Sequence, residues 1–181
     1  MKDGFIKVAA ATPEIKVADC KHNAKQIISL AKELAEKDVK LAVFPELCIT
    51  GYTCQDLFYQ TTLLDGAKNA LVTILEELSE LDMITVVGLP MQYDSKLYNC
   101  AAVTYHGKVL GYVPKQYLPN YNEFYELRHF TPGKEAVTTT EFFGKEVPFG
   151  MNLLFQCEKM PRLKVCLLYT SPSPRDPKTS R

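Results

Sequence analysis

Short apolar runs alternate with stretches of helical apolar spacing through the first ninety residues, and this alternation limits how the chain can fold more than any other feature. "GFIKVAAAT", bounded by Gly4 and Pro13, predicts a core strand. In "DCKHNAKQIISLAKELAEK" the apolar residues Ala24, Ile27, Ile28, Ala31, Leu34 and Ala35 recur every three or four positions, with Asp19 placed as a cap. "KLAVFPEL" predicts a second buried strand that Pro45 stops, because proline brings no N–H to a ladder. A second amphipathic helix is expected over Thr62 to Leu81, with Leu64, Ala67, Leu71, Ile74, Leu75 and Leu78 on its stripe, and it leads into the strand "MITVVGLP". Strand, helix, strand, helix, strand is the order of an α/β layered domain.

The pattern then changes. "LYNCAAVTYHGKVLGYVPK" reads as two strands joined at His106-Gly107, so part of the sheet is expected to be antiparallel and the sheet mixed. "MNLLFQC" and "RLKVCLL" predict further strands. After Leu168 the composition breaks into "YTSPSPRDPKTSR", which offers almost nothing to bury and predicts a disordered tail over 169–181. A native linker and a segment foreign to the protein are both open, and the second is favoured.

At 181 residues, 46% of them hydrophobic, the chain suits one domain of about 100–200 residues. Lys plus Arg number 21 and Asp plus Glu number 21, so net charge draws the protein neither to nucleic acid nor to an anionic membrane. The expected partner is a small molecule or a protein. No apolar run approaches the roughly 18–20 residues of a bilayer span, and Met1 to Lys7 holds no secretory h-region, which predicts a cytoplasmic location. Six cysteines, without the paired spacing of zinc sites, read mostly as reduced, buried small hydrophobes.

Two segments place an ionisable residue directly after a strand that ends in proline: "VFPELCITGY" and "GYVPKQYLPNYNEFYELRHFTPG". Ligands of α/β proteins bind at the carboxyl ends of strands, so Glu46 and Lys115 are candidates for one pocket. An ordinary ion pair at the rim of the sheet is the alternative.

The stretches "FPELCITGYTCQDLF" and "PKQYLPNYNEFYELRHFTPG" resemble the glutamate and lysine motifs of the nitrilase superfamily of carbon-nitrogen hydrolases. More narrowly they resemble the glutaminase domain of the glutamine-dependent NAD synthetases, and the likeness runs from about Lys2 to Val165. The resemblance implies an α-β-β-α sandwich, here incomplete, and a Glu–Lys–Cys triad that releases ammonia from glutamine. It implies Glu46 as the base and Lys115 as the donor to the oxyanion. A second family glutamate falls on Glu126 or Glu123, with Glu126 preferred, and Tyr52, Tyr121 and Phe124 fall where the glutamine pocket is lined. Core packing is the other reading of these aromatics.

The nucleophile is where the chain departs from the family. Counting along the motif, Thr170 stands at the cysteine's place, and Cys166 comes four residues early, on the order of 13 Å away at roughly 3.3 Å per strand residue. The expectation is that this chain as written hydrolyses no glutamine. It is read as residues 1–168 of a glutaminase domain, without a metal or cofactor of its own. ATP and magnesium would belong to a synthetase domain that is missing here. By resemblance the complete protein would form a homo-oligomer, and the missing domain would take up the ammonia. A stand-alone amidase or carbamoylase and a non-catalytic binding protein are the alternatives, and open edges left by truncation predict a tendency to aggregate.

Overall fold

A computed structural model describes residues 4–167. The expectations for 169–181, including Thr170, lie outside the described residues. The helical spacing of the first amphipathic stretch produces α1, Cys20–Glu36, capped by the Asp19 side chain, which accepts from the His22 backbone N–H at 3.0 Å. Ala24, Ile27, Ile28 and Ala31 on its stripe are buried. The second helix, α2, spans Thr61–Glu77. Its stripe differs by one position from the expectation: Leu63 and Ala70 are buried while Leu64 is only half-buried.

The strands are β1 (Lys7–Ala10), β2 (Val39–Val43), β3 (Ile84–Tyr93), β4 (Lys96–Tyr105) and β5 (Lys108–Pro114), followed by β6 (Thr138–Phe142) and β7 (Lys145–Phe149). They form one seven-stranded sheet in the order β1-β2-β3-β4-β5-β7-β6. The pairs β1–β2 and β2–β3 are parallel, as their helical crossovers require, and β3–β4–β5 is antiparallel. The sheet is therefore mixed, as the change of pattern predicted. His106 and Gly107 join β4 to β5 with φ of 45° and 69°, the left-handed pair of a two-residue hairpin.

One local expectation is corrected, one hairpin was not foreseen, and two expected strands lie apart from the main sheet. Among the described residues β1 pairs only with β2, at the edge of the sheet, and most of its side chains are exposed instead of lying in the core. The hairpin β6–β7 was not visible as apolar alternation because most of its side chains are also exposed. The segments "MNLLFQC" and "RLKVCLL" do supply strands, β8 (Phe155–Cys157) and β9 (Met160–Val165), but these form a separate two-stranded sheet.

Alternate residues of the central strands face opposite ways. One face, with Val87, Leu89, Cys100, Ala102 and Tyr112, packs with α1 and α2 in the main core. The other, with Val86, Ala101 and Val103, forms a smaller cluster with Phe155 of β8. Among the described residues no helix is long and apolar enough to cross a membrane.

Candidate active site

The site begins where β2 runs out. Phe44 N–H still bonds to Val86 O at 2.8 Å, but Pro45 has no N–H to continue the ladder and the chain turns. The turn is tight: Cys48, Thr50 and Gly51 N–H groups fold back onto Pro45 and Leu47 carbonyls, and buried Leu47 takes a left-handed φ of 51°. It crosses directly over Gly88 of β3. A Cβ there would stand 2.6 Å from Pro45 O and 2.8 Å from the Glu46 carbonyl carbon, so only glycine lets the backbones approach this closely. Asn23 of α1, fully buried, secures the far side by donating to Lys16 O at 2.8 Å and Ile49 O at 3.0 Å while accepting from Lys16 N–H.

Lys115 follows β5. Its N–H donates to Asn99 O at 2.8 Å and its carbonyl accepts from Gly133 N–H, which extends the ladder one residue past Pro114. By alternation its side chain lies on the face of Val113 and Ala101, away from the helices. The chain then returns through a short helix, α3 (Glu126–His129). Arg128 ties α3 to the 3-10 turn Gln55–Tyr59 through two contacts with the Asp56 carboxylate, at 2.9 and 3.1 Å, and the Tyr59 hydroxyl donates to Arg128 O.

These paths bring one ammonium between two carboxylates. Lys115 Nζ donates to Glu46 Oε2 at 2.8 Å and to Glu126 Oε1 at 3.1 Å. The Tyr52 hydroxyl donates to the same Glu126 Oε1 at 2.6 Å. Glu126 is only 4% exposed; the ammonium and the phenol both meet its Oε1, while its buried Oε2 has no hydrogen-bond partner among the described residues. Glu46 lies nearer solvent, its side chain 36% exposed. Burial, then the bond to Glu126, pushes the Tyr52 phenol well above its ordinary value, so it serves as a donor at neutral pH.

Glu46, Lys115, Glu126 and Tyr52 thus meet, although up to 80 positions separate them in the chain. Of the two glutamates weighed, Glu126 touches the lysine and Glu123 is exposed. Phe124 packs edge-on to both Tyr52, at 6.4 Å, and Tyr121, at 5.8 Å, so the three aromatics form one wall. Tyr121 itself is largely exposed. Asn99, which the sequence reading did not single out, is fully buried and donates from Nδ2 to Glu46 Oε2 at 3.2 Å. Its signal was available: a lone amide inside the apolar strand "LYNCAAV".

Among the described residues no cysteine thiol hydrogen-bonds to this cluster. Cys48 Sγ contacts Gly88 O at 3.6 Å, Cys54 Sγ contacts Thr50 O, and Cys20 Sγ contacts Leu63 O. Burial pushes the Cys48 thiol up to about 12 and raises Cys100 well above its usual value, which makes both poor nucleophiles. Cys166 is exposed on the segment after β9. Among the described residues no group of three or more His, Cys, Asp or Glu is placed to hold a metal ion.

Comparison with known proteins gives the chain's relatives. The chain is 40% identical over 158 residues to the glutamine-dependent NAD(+) synthetase of Mycobacterium tuberculosis, a match covering 87% of this chain and 23% of the relative. It is 29% identical to the glutamine-dependent NAD(+) synthetase of Homo sapiens, covering 93% and 26% respectively. The chain therefore spans about a quarter of the length of these relatives. The crystal structure of a glutamine-dependent NAD(+) synthetase from Cytophaga hutchinsonii superposes with a TM-score of 0.79 at 31% identity, over 84% of this chain and 26% of that one. An amidase from Nesterenkonia, at 22% identity and a TM-score of 0.63, covers 82% and 56% and shares the fold. The carbon-nitrogen hydrolase family model matches residues 7–153, most of the strands that build the site and both of its glutamates, and the chain belongs to that family.

Proposed function

We propose that this chain is the amino-terminal part, residues 1–168, of a glutaminase domain that supplies ammonia for the amidation of deamido-NAD. The single observation that carries the reading is the Lys115 ammonium shared by Glu46 and Glu126, in a chain 40% identical to a glutamine-dependent synthetase. Glu46 Oε2 is taken by Lys115 and Asn99, which leaves Oε1 to act as the base. In the full reaction Glu46 takes the proton of a cysteine thiol, and the thiolate attacks the glutamine amide carbon. Lys115 is placed to balance the charge that develops on the carbonyl oxygen. Glu46 returns its proton to the leaving nitrogen as ammonia departs. It then accepts a proton from the water that cleaves the thioester and returns it to the departing sulfur, releasing glutamate and the free thiol.

Tyr52, Tyr121 and Phe124 form the wall against which the substrate lies. A synthetase domain using ATP and magnesium is the partner for the ammonia, and the complete protein is a homo-oligomer. All six cysteines are free thiols, which supports a reducing, cytoplasmic setting.

A stand-alone amidase is disfavoured by the synthetase relatives. The discriminating experiment is binding. L-glutamine should perturb the Tyr52, Tyr121 and Phe124 resonances of the chain while propionamide does not, and the reverse preference would favour the amidase. The chain as written is inactive in this reading, since none of its described thiols touches Glu46. Purified chain incubated with glutamine should release ammonia no faster than buffer. Release that Glu46→Ala abolishes would overturn the inactivity.

A further inference from the structure

Asn99 occupies an unusual place. It stands on β4 in the row of Ala101 and Val103, the apolar face turned away from the helices, and it is fully buried. A carboxamide at such a place is unfavourable unless its polar atoms are bonded. Its Nδ2 reaches Glu46 Oε2 at 3.2 Å, and its backbone carbonyl accepts the Lys115 N–H at 2.8 Å. Its Oδ1 has no partner among the described residues. The amide orientation follows from the chemistry, because the reverse would press a carbonyl oxygen against a carboxylate.

Lys115 alone does not define where the Glu46 carboxylate sits. The ammonium is a rotatable point charge on a flexible stem, and it is shared with the more deeply buried Glu126. A second donor on Oε2 fixes the rotation of the carboxylate, and an amide does so without carrying a charge. Because Asn99 and Lys115 are bonded neighbours on adjacent strands, both donors are held by the ladder of one rigid sheet.

We propose that Asn99 is a positioning residue that locks the Glu46 carboxylate, holding Oε2 so that Oε1 faces the reacting thiol and amide. The proposal deepens the glutaminase reading and rests on it for the role of Oε1. The contact itself can be tested without turnover.

The titratable groups around Glu46 among the described residues are Lys115, Glu126 beyond it, and the neutral Tyr52 phenol on Glu126. In the unmodified chain the Asn99 side-chain amide 15N and 1H resonances should move with pH along the same curve as the Glu46 carboxyl 13C resonance, and should stop moving in Glu46→Gln. A flat Asn99 amide in the unmodified chain, or movement that persists in Glu46→Gln, would overturn the proposal. In Asn99→Leu the Glu46 carboxyl resonance should shift while that of Glu126 holds still. A lowered melting temperature with an unchanged Glu46 signal would make Asn99 merely structural. Should Asn99→Leu not fold, the titration of the unmodified chain decides by itself. Failure of this contact is distinguishable from failure of the glutaminase reading, which the glutamine and propionamide binding experiment tests separately.

Discussion

The two faces of the central sheet solve opposite problems. The helix face buries a continuous apolar core in which Ile27, Leu71, Ile74 and Val87 are wholly inaccessible, and its stability comes from area and packing. The opposite face carries a smaller apolar cluster around Val86, Ala101 and Val103, and where β2 and β5 end and β4 begins it turns polar, with Asn99, Lys115 and the Glu46 turn. One face holds the fold together. The other places a few charges at fixed distances, which area alone cannot do. The contrast teaches that the site depends on the sheet for its geometry, while the sheet depends little on the site for its stability.

The contrast can be broken from either side. Ile27→Ala on the helix face should destabilise the chain most, by about 3 kcal/mol, as truncating a buried isoleucine leaves a cavity. Urea unfolding measures the loss, and in the folded protein the Asn99 and Glu46 resonances should be unchanged. Gly88→Ala should cost about 2 kcal/mol, because the added methyl meets backbone and not a movable side chain. Unlike Ile27→Ala it should also displace the Glu46 turn, seen as a shifted Glu46 carboxyl signal. If it leaves that signal in place, the close crossing over β3 does not position Glu46.

Tyr52→Phe removes the phenol that donates to Glu126 and should cost about 1 kcal/mol. It also has a pH signature. The phenol is raised in the folded state, so its contribution is complete below about pH 10 and is lost as pH climbs towards the folded value. The alkaline fall in melting temperature should therefore be shallower in Tyr52→Phe than in the unmodified chain. An equal slope would mean that the phenol does not contribute. Asp19→Ala, which removes only the α1 cap, should cost about 0.5–1 kcal/mol and leave every site resonance unmoved.

Legibility follows the same division. α1 and α2 were readable because burial against one layer imposes a 3.6-residue period, and the His106-Gly107 hairpin was readable because its turn needs left-handed backbone. The hairpin Phe142-Phe143-Gly144 escaped notice, since β6 and β7 bury too little to write an apolar alternation. β1 was misplaced in the core because an apolar composition does not say whether a strand is central or at an edge. Among site residues, Glu46 and Lys115 stood out because each follows a proline that ends a strand, while Glu126 and Glu123 could not be separated by position alone. Asn99 was passed over because one amide sets no period, and its only signal was its isolation in an apolar run.

By itself the sequence determined the layered α/β class, the cap and buried stripe of α1, and the two strand ends from which Glu46 and Lys115 project. These are local facts: periodicity, proline and turn chemistry act over a few residues. Only the tertiary structure decided that the Glu46 turn passes over Gly88, that Glu126 and not Glu123 meets the lysine, and that Asn99 shares Glu46 with it. Those contacts join residues 11 to 69 positions apart, and such distances are set by strand order and face, which no single segment encodes.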